Sequence, residues 1–218
     1  MAKQLRGISP FGLLLSLKLL PPDSFVDEQT NPVLCIHEAF KPIEGLSDME
    51  PTTKKNSVCL RNVGADDLPR IYEFQLDPES NHLAVTIPRS AEAFDAHWDI
   101  ALRDPNITAK AIIVGDVLAG CISCFNMDGL DAVGYWLGRE FWGRGIASQA
   151  LNLLLTEVSI RPLYARVATS NGASLRVLQK CGFVVERVQM SPADDRYPEC
   201  EEAVLVLRET TIGKQINA

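Results

Sequence analysis

Residues 134–148 read Gly134-Tyr135-Trp136-Leu137-Gly138-Arg139-Glu140-Phe141-Trp142-Gly143-Arg144-Gly145-Ile146-Ala147-Ser148. A β-prone aromatic run ends in two glycines one residue apart. An apolar pattern of helical period follows, carried by Ala147, Ala150, Leu151, Leu154 and Val158. Glycine lets the main chain approach a ligand with no Cβ in the way, and a helix N-terminus presents unsatisfied N–H groups that favour an anion. The stretch is therefore expected to cradle a phosphate, with Arg144 adding a fixed positive charge. A dinucleotide fingerprint fits poorly. Ser148 stands where its third glycine belongs, and the acid expected about 20 residues on is missing. The next strand instead ends in Thr169, Ser170 and Asn171. A single pyrophosphate fits better.

Working outward, residues 109–125 read as a hairpin turning at Gly115-Asp116, and residues 132–138 as a third strand. Residues 163–168 form a short buried strand, 171–183 a helix and 201–209 a last strand. Towards the N-terminus, 57–63 alternate like a strand and Ala65-Asp66-Asp67 opens a helix over 68–76. Residues 77–88 read as loop. Ser90 leads a helix whose stripe is Ala93, Phe94, His97, Trp98 and Leu102. Early hairpins and a late strand–helix–strand–helix predict an α/β (mixed α+β) fold. Its central mixed sheet has six or seven strands, flanked by about four helices.

The chain has 218 residues, 46% hydrophobic and 22% charged, which suits one domain of roughly 150 residues with additions. A net charge of -7 argues against a general nucleic-acid binder, which needs a basic face, and suits a neutral or cationic substrate. The cysteines (Cys35, Cys59, Cys121, Cys124, Cys181, Cys200) form no framework and point to a reducing, cytoplasmic setting. Cys121-x-x-Cys124 has no partner pair, so buried strand thiols are expected there and no metal site. His37, His82 and His97 match no metalloenzyme pattern; His97 is expected to pack or to wall a cleft. Lys3 and Arg6 precede an apolar run that imitates a secretory leader. Lys18 breaks that run, Pro21-Pro22 ends it, and no targeting signal or membrane span is expected. Residues 21–56 show no period. The expected division is an extension over 1–56, with Met49 as an alternative start, a domain over 57–209 and a tail over 210–218.

A second motif, residues 171–183, reads Asn-x-x-Ser-x-x-x-Leu-x-Lys-x-Gly-Phe. Together with residues 134–151 it resembles the GNAT superfamily of acyl-CoA N-acyltransferases, most closely the branch of ribosomal-protein N-terminal acetyltransferases, over roughly 57–209. The resemblance implies a sheet splayed at its central parallel pair and acetyl-CoA as acetyl donor, with no metal. The family's pyrophosphate-loop positions fall on Trp142, Gly145 and Ala147, and Trp142 departs from the usual Gln or Arg. The amides around Gly143, Arg144, Gly145, Ile146, Ala147 and Ser148 would hold the pyrophosphate. The pantetheine arm would bond to the main chain of Trp136 and Gly138, and an amide near Leu137 would polarise the thioester carbonyl. Asn171 would bond the cofactor while capping its helix, and Ser174 would relay a proton to the departing thiolate.

The base is the gap in the resemblance. Relatives often carry Glu where Ala132 stands, and neighbouring Asp131 could replace it only if the strand bulged. Glu73, Asp77, Glu79 and bulk water acting on a low-pKa amine are the other choices. The implied activity is acetyl transfer to a primary amine, a protein N-terminus or a small molecule, by direct attack in a ternary complex. No nucleic-acid or membrane partner is expected, and the state is monomer or homodimer. The alternative, suggested by Ala132, is a catalytically inactive CoA-binding sensor of the same fold.

Overall fold

The computed structural model describes residues 57–209. The 1–56 extension, the start at Met49 and the 210–218 tail lie outside them. Seven strands, β1 (Val58–Asn62), β2 (Thr108–Val114), β3 (Val117–Met127), β4 (Leu130–Leu137), β5 (Leu163–Ala168), β6 (Val184–Ser191) and β7 (Cys200–Leu207), form one sheet. Its order is β1-β2-β3-β4-β5-β7-β6. All pairs are antiparallel except β4–β5. Five helices cover it: α1 (Leu68–Leu76), α2 (Pro78–Ala84), α3 (Ala91–Arg103), α4 (Ile146–Glu157) and α5 (Gly172–Lys180).

Two elements depart from expectation. Residues expected as loop form α2, because Asp77-Pro78 supplies an N-cap and a first-turn proline. The Asp77 carboxylate accepts the Ser80 amide at 2.7 Å. The seven residues of α2, about two turns, are too few to show an apolar period. The other is β6, an edge strand that leaves Val184, Val185, Val188 and Met190 exposed, so its sequence lacks the alternation of a half-buried strand. In α3 the Ser90 hydroxyl caps the Ala93 amide at 3.2 Å. The buried stripe there is Phe94, His97, Trp98 and Ala101, while Ala93 and Leu102 face outward.

Each face of the sheet carries its own core. On one, Ile122, Cys124, Val133 and Leu137 pack against Ile146, Leu151 and Leu154 of α4 and Leu178 of α5. On the other, Ala111, Ile113, Cys121 and Trp136 pack against Ile71, Phe94 and Trp98. Full burial of side chains such as Leu151 and Leu154 contributes about 1.5–3 kcal/mol each. Cys121 and Cys124, three apart on β3, therefore sit in different cores and cannot act as a dithiol.

The break in this sheet places the site. β3 and β4 stay in register from Leu130 to Leu137, yet β4 and β5 pair only at Ala132 and Tyr164. Beyond that contact the parallel strands diverge. The gap opens towards their C-terminal ends, where an open α/β sheet places its ligands.

Candidate active site

The first wall of the site is the loop from β4 to α4. Trp142 Nε1 donates to the Leu137 carbonyl at 3.2 Å, which folds the loop back onto the strand. Gly143 and Gly145 then adopt φ of +70° and +72°, a region costly for residues with a Cβ. A Cβ on Gly143 would meet nothing within 4 Å, so backbone geometry, not crowding, requires glycine, and the space above stays open to a ligand. Gly145 is the N-cap of α4, with no side chain capping it and no acid in the first turn. The first bond of the helix runs from the Gln149 amide to the Gly145 carbonyl at 3.1 Å. The amides of Ile146, Ala147 and Ser148 therefore lack intrahelical acceptors and are available to an anion. By contrast, α5 is capped: Asn171 Oδ1 accepts the Ser174 amide at 3.0 Å.

This loop opens on a cleft of about 360 Å³, also lined by Trp136, Leu137, Asn171, Ser174 and Val177. Trp142, Gly143, Gly145, Ile146, Ala147 and Ser148 all line it. Arg144 and Gly138 do not; the Arg144 guanidinium lies 5.8 Å over the Phe141 ring. Sequence reading missed two parts of the wall. One is α2, through Ser80, Leu83 and Ala84. The other is a cationic pair from α5, Arg176 and Lys180, recoverable because both stand on the helix face that carries Ala173 and Val177.

The pairing of β4 corrects the expected main-chain contacts. The Gly138 amide donates to the Ala119 carbonyl at 2.9 Å, so it faces β3. Strand polarity alternates, which turns the Trp136 amide the same way and leaves the main chain of Tyr135 and Leu137 facing the gap. Trp136 contributes through its side chain, Nε1 donating to the Phe74 carbonyl at 2.8 Å.

A second cavity, about 80 Å³, lies on the α1–α3 side of the gap. Tyr135, Trp136 and Ser174 line both spaces. Where they meet, the Tyr135 hydroxyl lies 2.8 Å from Ser174 Oγ. Burial pushes Tyr135 up to about 12, although the bond to Ser174 pulls the other way. Its hydroxyl therefore stays protonated across the working pH range.

Asp131 does not reach either space. The β3–β4 register is unbroken, with Asp131 opposite Asn126 and Ala132 opposite Phe125, so the bulge that its role required is absent and Ala132 lines the cavity. Glu73 pairs with Arg70, Asp77 caps α2, and neither they nor Glu79 line the two spaces. The titratable groups lining the smaller cavity include His97, buried at 7% exposure, Arg89 and Arg166. Arg166 Nε is answered by the Glu202 carboxylate at 2.8 Å. The net negative charge of the chain thus does not describe its cleft.

Residues 57–184 match the family model described as the acetyltransferase (GNAT) domain. The chain belongs to this family. It is 26% identical over 144 residues to the uncharacterized N-acetyltransferase p20 of Bacillus licheniformis, covering 59% of this chain and 80% of p20. It is 29% identical over 96 residues to YdaF of Bacillus subtilis, whose name proposes a ribosomal N-acetyltransferase; the match covers 41% of this chain and about half of YdaF, 52%. Among solved structures, the spermidine N-acetyltransferase of Vibrio cholerae with CoA and spermine superposes with a TM-score of 0.58 at 17% identity. That match covers 68% of this chain and 95% of the other, a likeness of fold. GNAT membership accounts for the splayed parallel pair and the glycine loop together. Among the described residues no helix is long and apolar enough to cross a membrane.

Proposed function

We propose that this GNAT protein transfers an acetyl group from acetyl-CoA to a primary amine, the two substrates entering from opposite sides of the gap between β4 and β5. The observation that carries the reading is the pair of cavities that meet at Tyr135 and Ser174. The larger one ends at the uncapped α4 N-terminus, where the Gly143–Ser148 amides suit a pyrophosphate and Arg176 and Lys180 suit further phosphate charge. The smaller one receives the amine.

Acetyl-CoA brings an acyl group already activated as a thioester, so no covalent enzyme intermediate is needed. The amine nitrogen attacks the carbonyl carbon directly; a C–N bond forms and the C–S bond breaks. The Leu137 amide, facing the gap, stabilises the carbonyl oxygen as it gains negative charge. His97, which lines the smaller cavity, takes through a ring nitrogen the proton that the amine must lose, directly or through one water. Ser174, held in place by Tyr135, gives its hydroxyl proton to the departing sulfur and regains one from water, to which His97 returns the proton it took from the amine.

The test is release of free thiol from acetyl-CoA over a panel of amines, beside CoA titration. Thiol release that depends on an amine, with the acetyl group recovered on nitrogen, is expected. CoA binding with no release over any amine would replace this reading with that of an inactive sensor, which Ala132 in place of an acid favours.

A further inference from the structure

We infer that Arg176 and Lys180 of α5 form a seat for a phosphomonoester, the one that CoA carries on its ribose, and that this seat selects CoA over the same molecule lacking that group. This rests on the acetyl-transfer reading for its ligand and concerns the larger cavity, away from the reacting atoms. The amides of Ile146, Ala147 and Ser148 suit the pyrophosphate, which leaves the remaining phosphate of CoA to be met.

Both side chains line that cavity, and none of its described lining residues is Asp or Glu. Both are exposed, so a ligand can reach them. They stand four apart on α5, a spacing that puts them on one face, where like charges repel. Arg61, Arg70, Arg103 and Arg208 each meet a carboxylate, whereas among the described residues the side chains of Arg176 and Lys180 make no ion pair or hydrogen bond.

Their placement points to the same ligand. Cys181, the residue after Lys180, turns its thiol to the Ser148 carbonyl at 3.6 Å, and Ser148 belongs to the first turn of α4. The C-terminal end of α5 is thereby held against the turn whose amides suit the pyrophosphate. Arg176 runs back along its own helix: a Cβ on Gly172 would meet Arg176 Nη1 at 3.4 Å. Its guanidinium thus sits beside the first residue of α5, where the helix dipole disfavours a cation. Lys180, in the last turn, complements that dipole, and Arg176 opposes it. An anion in the cleft offsets both the dipole and the repulsion between the two cations. A phosphomonoester, close to doubly charged at neutral pH, offers oxygens to a guanidinium and an ammonium at once.

The experiment measures affinity for CoA and for dephospho-CoA, which lacks the ribose phosphate, by titration calorimetry at low and at high salt. It uses the full chain and the variants Arg176→Gln, Lys180→Gln, both together, and Arg176→Lys. CoA is expected to bind about tenfold tighter, the worth of a charge-assisted contact held at the surface, and salt should narrow that ratio. Each glutamine variant should lower the ratio about threefold and the two together bring it close to one, while Arg176→Lys retains most of it. Thermal unfolding reports that each variant is folded. A ratio near one in the parent, or one that survives in the double variant, overturns the inference and leaves acetyl transfer standing. So does an equal loss for both ligands, which assigns the pair to the pyrophosphate. A preference for CoA that the double variant abolishes, with no thiol release over any amine, overturns acetyl transfer and leaves the seat in place.

Discussion

The hydroxyl of Tyr135, on β4, lies 2.8 Å from Oγ of Ser174, in the first turns of α5. The bond spans the gap between diverging strands and ties the motif before the glycine loop to the motif after β5. On the proposed mechanism these two residues, 39 apart in sequence, act on one proton transfer. Tyr135→Phe and Ser174→Ala are each expected to lower kcat about 100-fold, within the range for positioned proton transfer. The double variant should lose little more than the worse single, since both act on one step. Single-turnover thiol release measures this, and multiplicative losses would show two separate roles.

Gly143 and Gly145 stand at positive φ beside the cleft, and Gly129 stands at +83° in the β3–β4 turn, away from it. Alanine at any of the three should cost about 1 kcal/mol of stability through backbone strain. CoA affinity should fall about tenfold for the first two through displaced amides, a loss of about 1.4 kcal/mol, and stay unchanged for Gly129→Ala. Thermal unfolding and CoA titration on the three variants separate strain from ligand contact.

Asp67 gives the acid limb of stability a specific origin. Its carboxylate accepts both Arg61 Nη atoms at 2.6 Å and the Gly64 amide at 2.8 Å, and these hold its pKa below the usual value, the Arg61 bond most strongly. A folded pKa below the unfolded one means the contribution is complete above about pH 4 and is lost as pH falls through the folded value. Asp67→Asn should therefore be less stable than the parent at neutral pH and converge on it as the pH drops. Denaturant unfolding at pH 7 and in steps below pH 4 provides the check; a constant difference across that range would exclude the linkage.

Cys121 and Cys124 are buried, and burial pushes their thiols up to about 12 and about 11. At pH 8 almost none of either is thiolate, the reactive form. The exposed Cys59 should be alkylated well before either, with labelling of Cys121 and Cys124 following unfolding. Peptide mapping after timed alkylation reads the order.

How much of this was legible in the chain depends on the range of each signal. The α4 stripe, the glycine loop and the capped α5 are local patterns, because helix period, positive φ and N-caps are settled within a few residues. The short α2 and the edge strand β6 left no such trace: one has too few turns to show a period and the other has no buried face. Asp131 was a candidate by its place in the sequence, and only the unbroken register opposite Asn126 removed it. The main chain that faces the gap is that of Tyr135 and Leu137 and not of Trp136 and Gly138 for a similar reason, since the partner strand decides which edge an amide faces.

The sequence by itself determined that the chain would build a mixed sheet, and where a glycine loop opens α4 and an Asn171 cap opens α5, because these rest on neighbours along the chain. Only the tertiary structure decided what lines the smaller cavity. Arg89, His97, Trp98 and Gln75 come from three separate segments, and a cavity's charge arises from how those segments pack rather than from the overall composition. A chain of net charge -7 can therefore line a pocket with two arginines and no carboxylate.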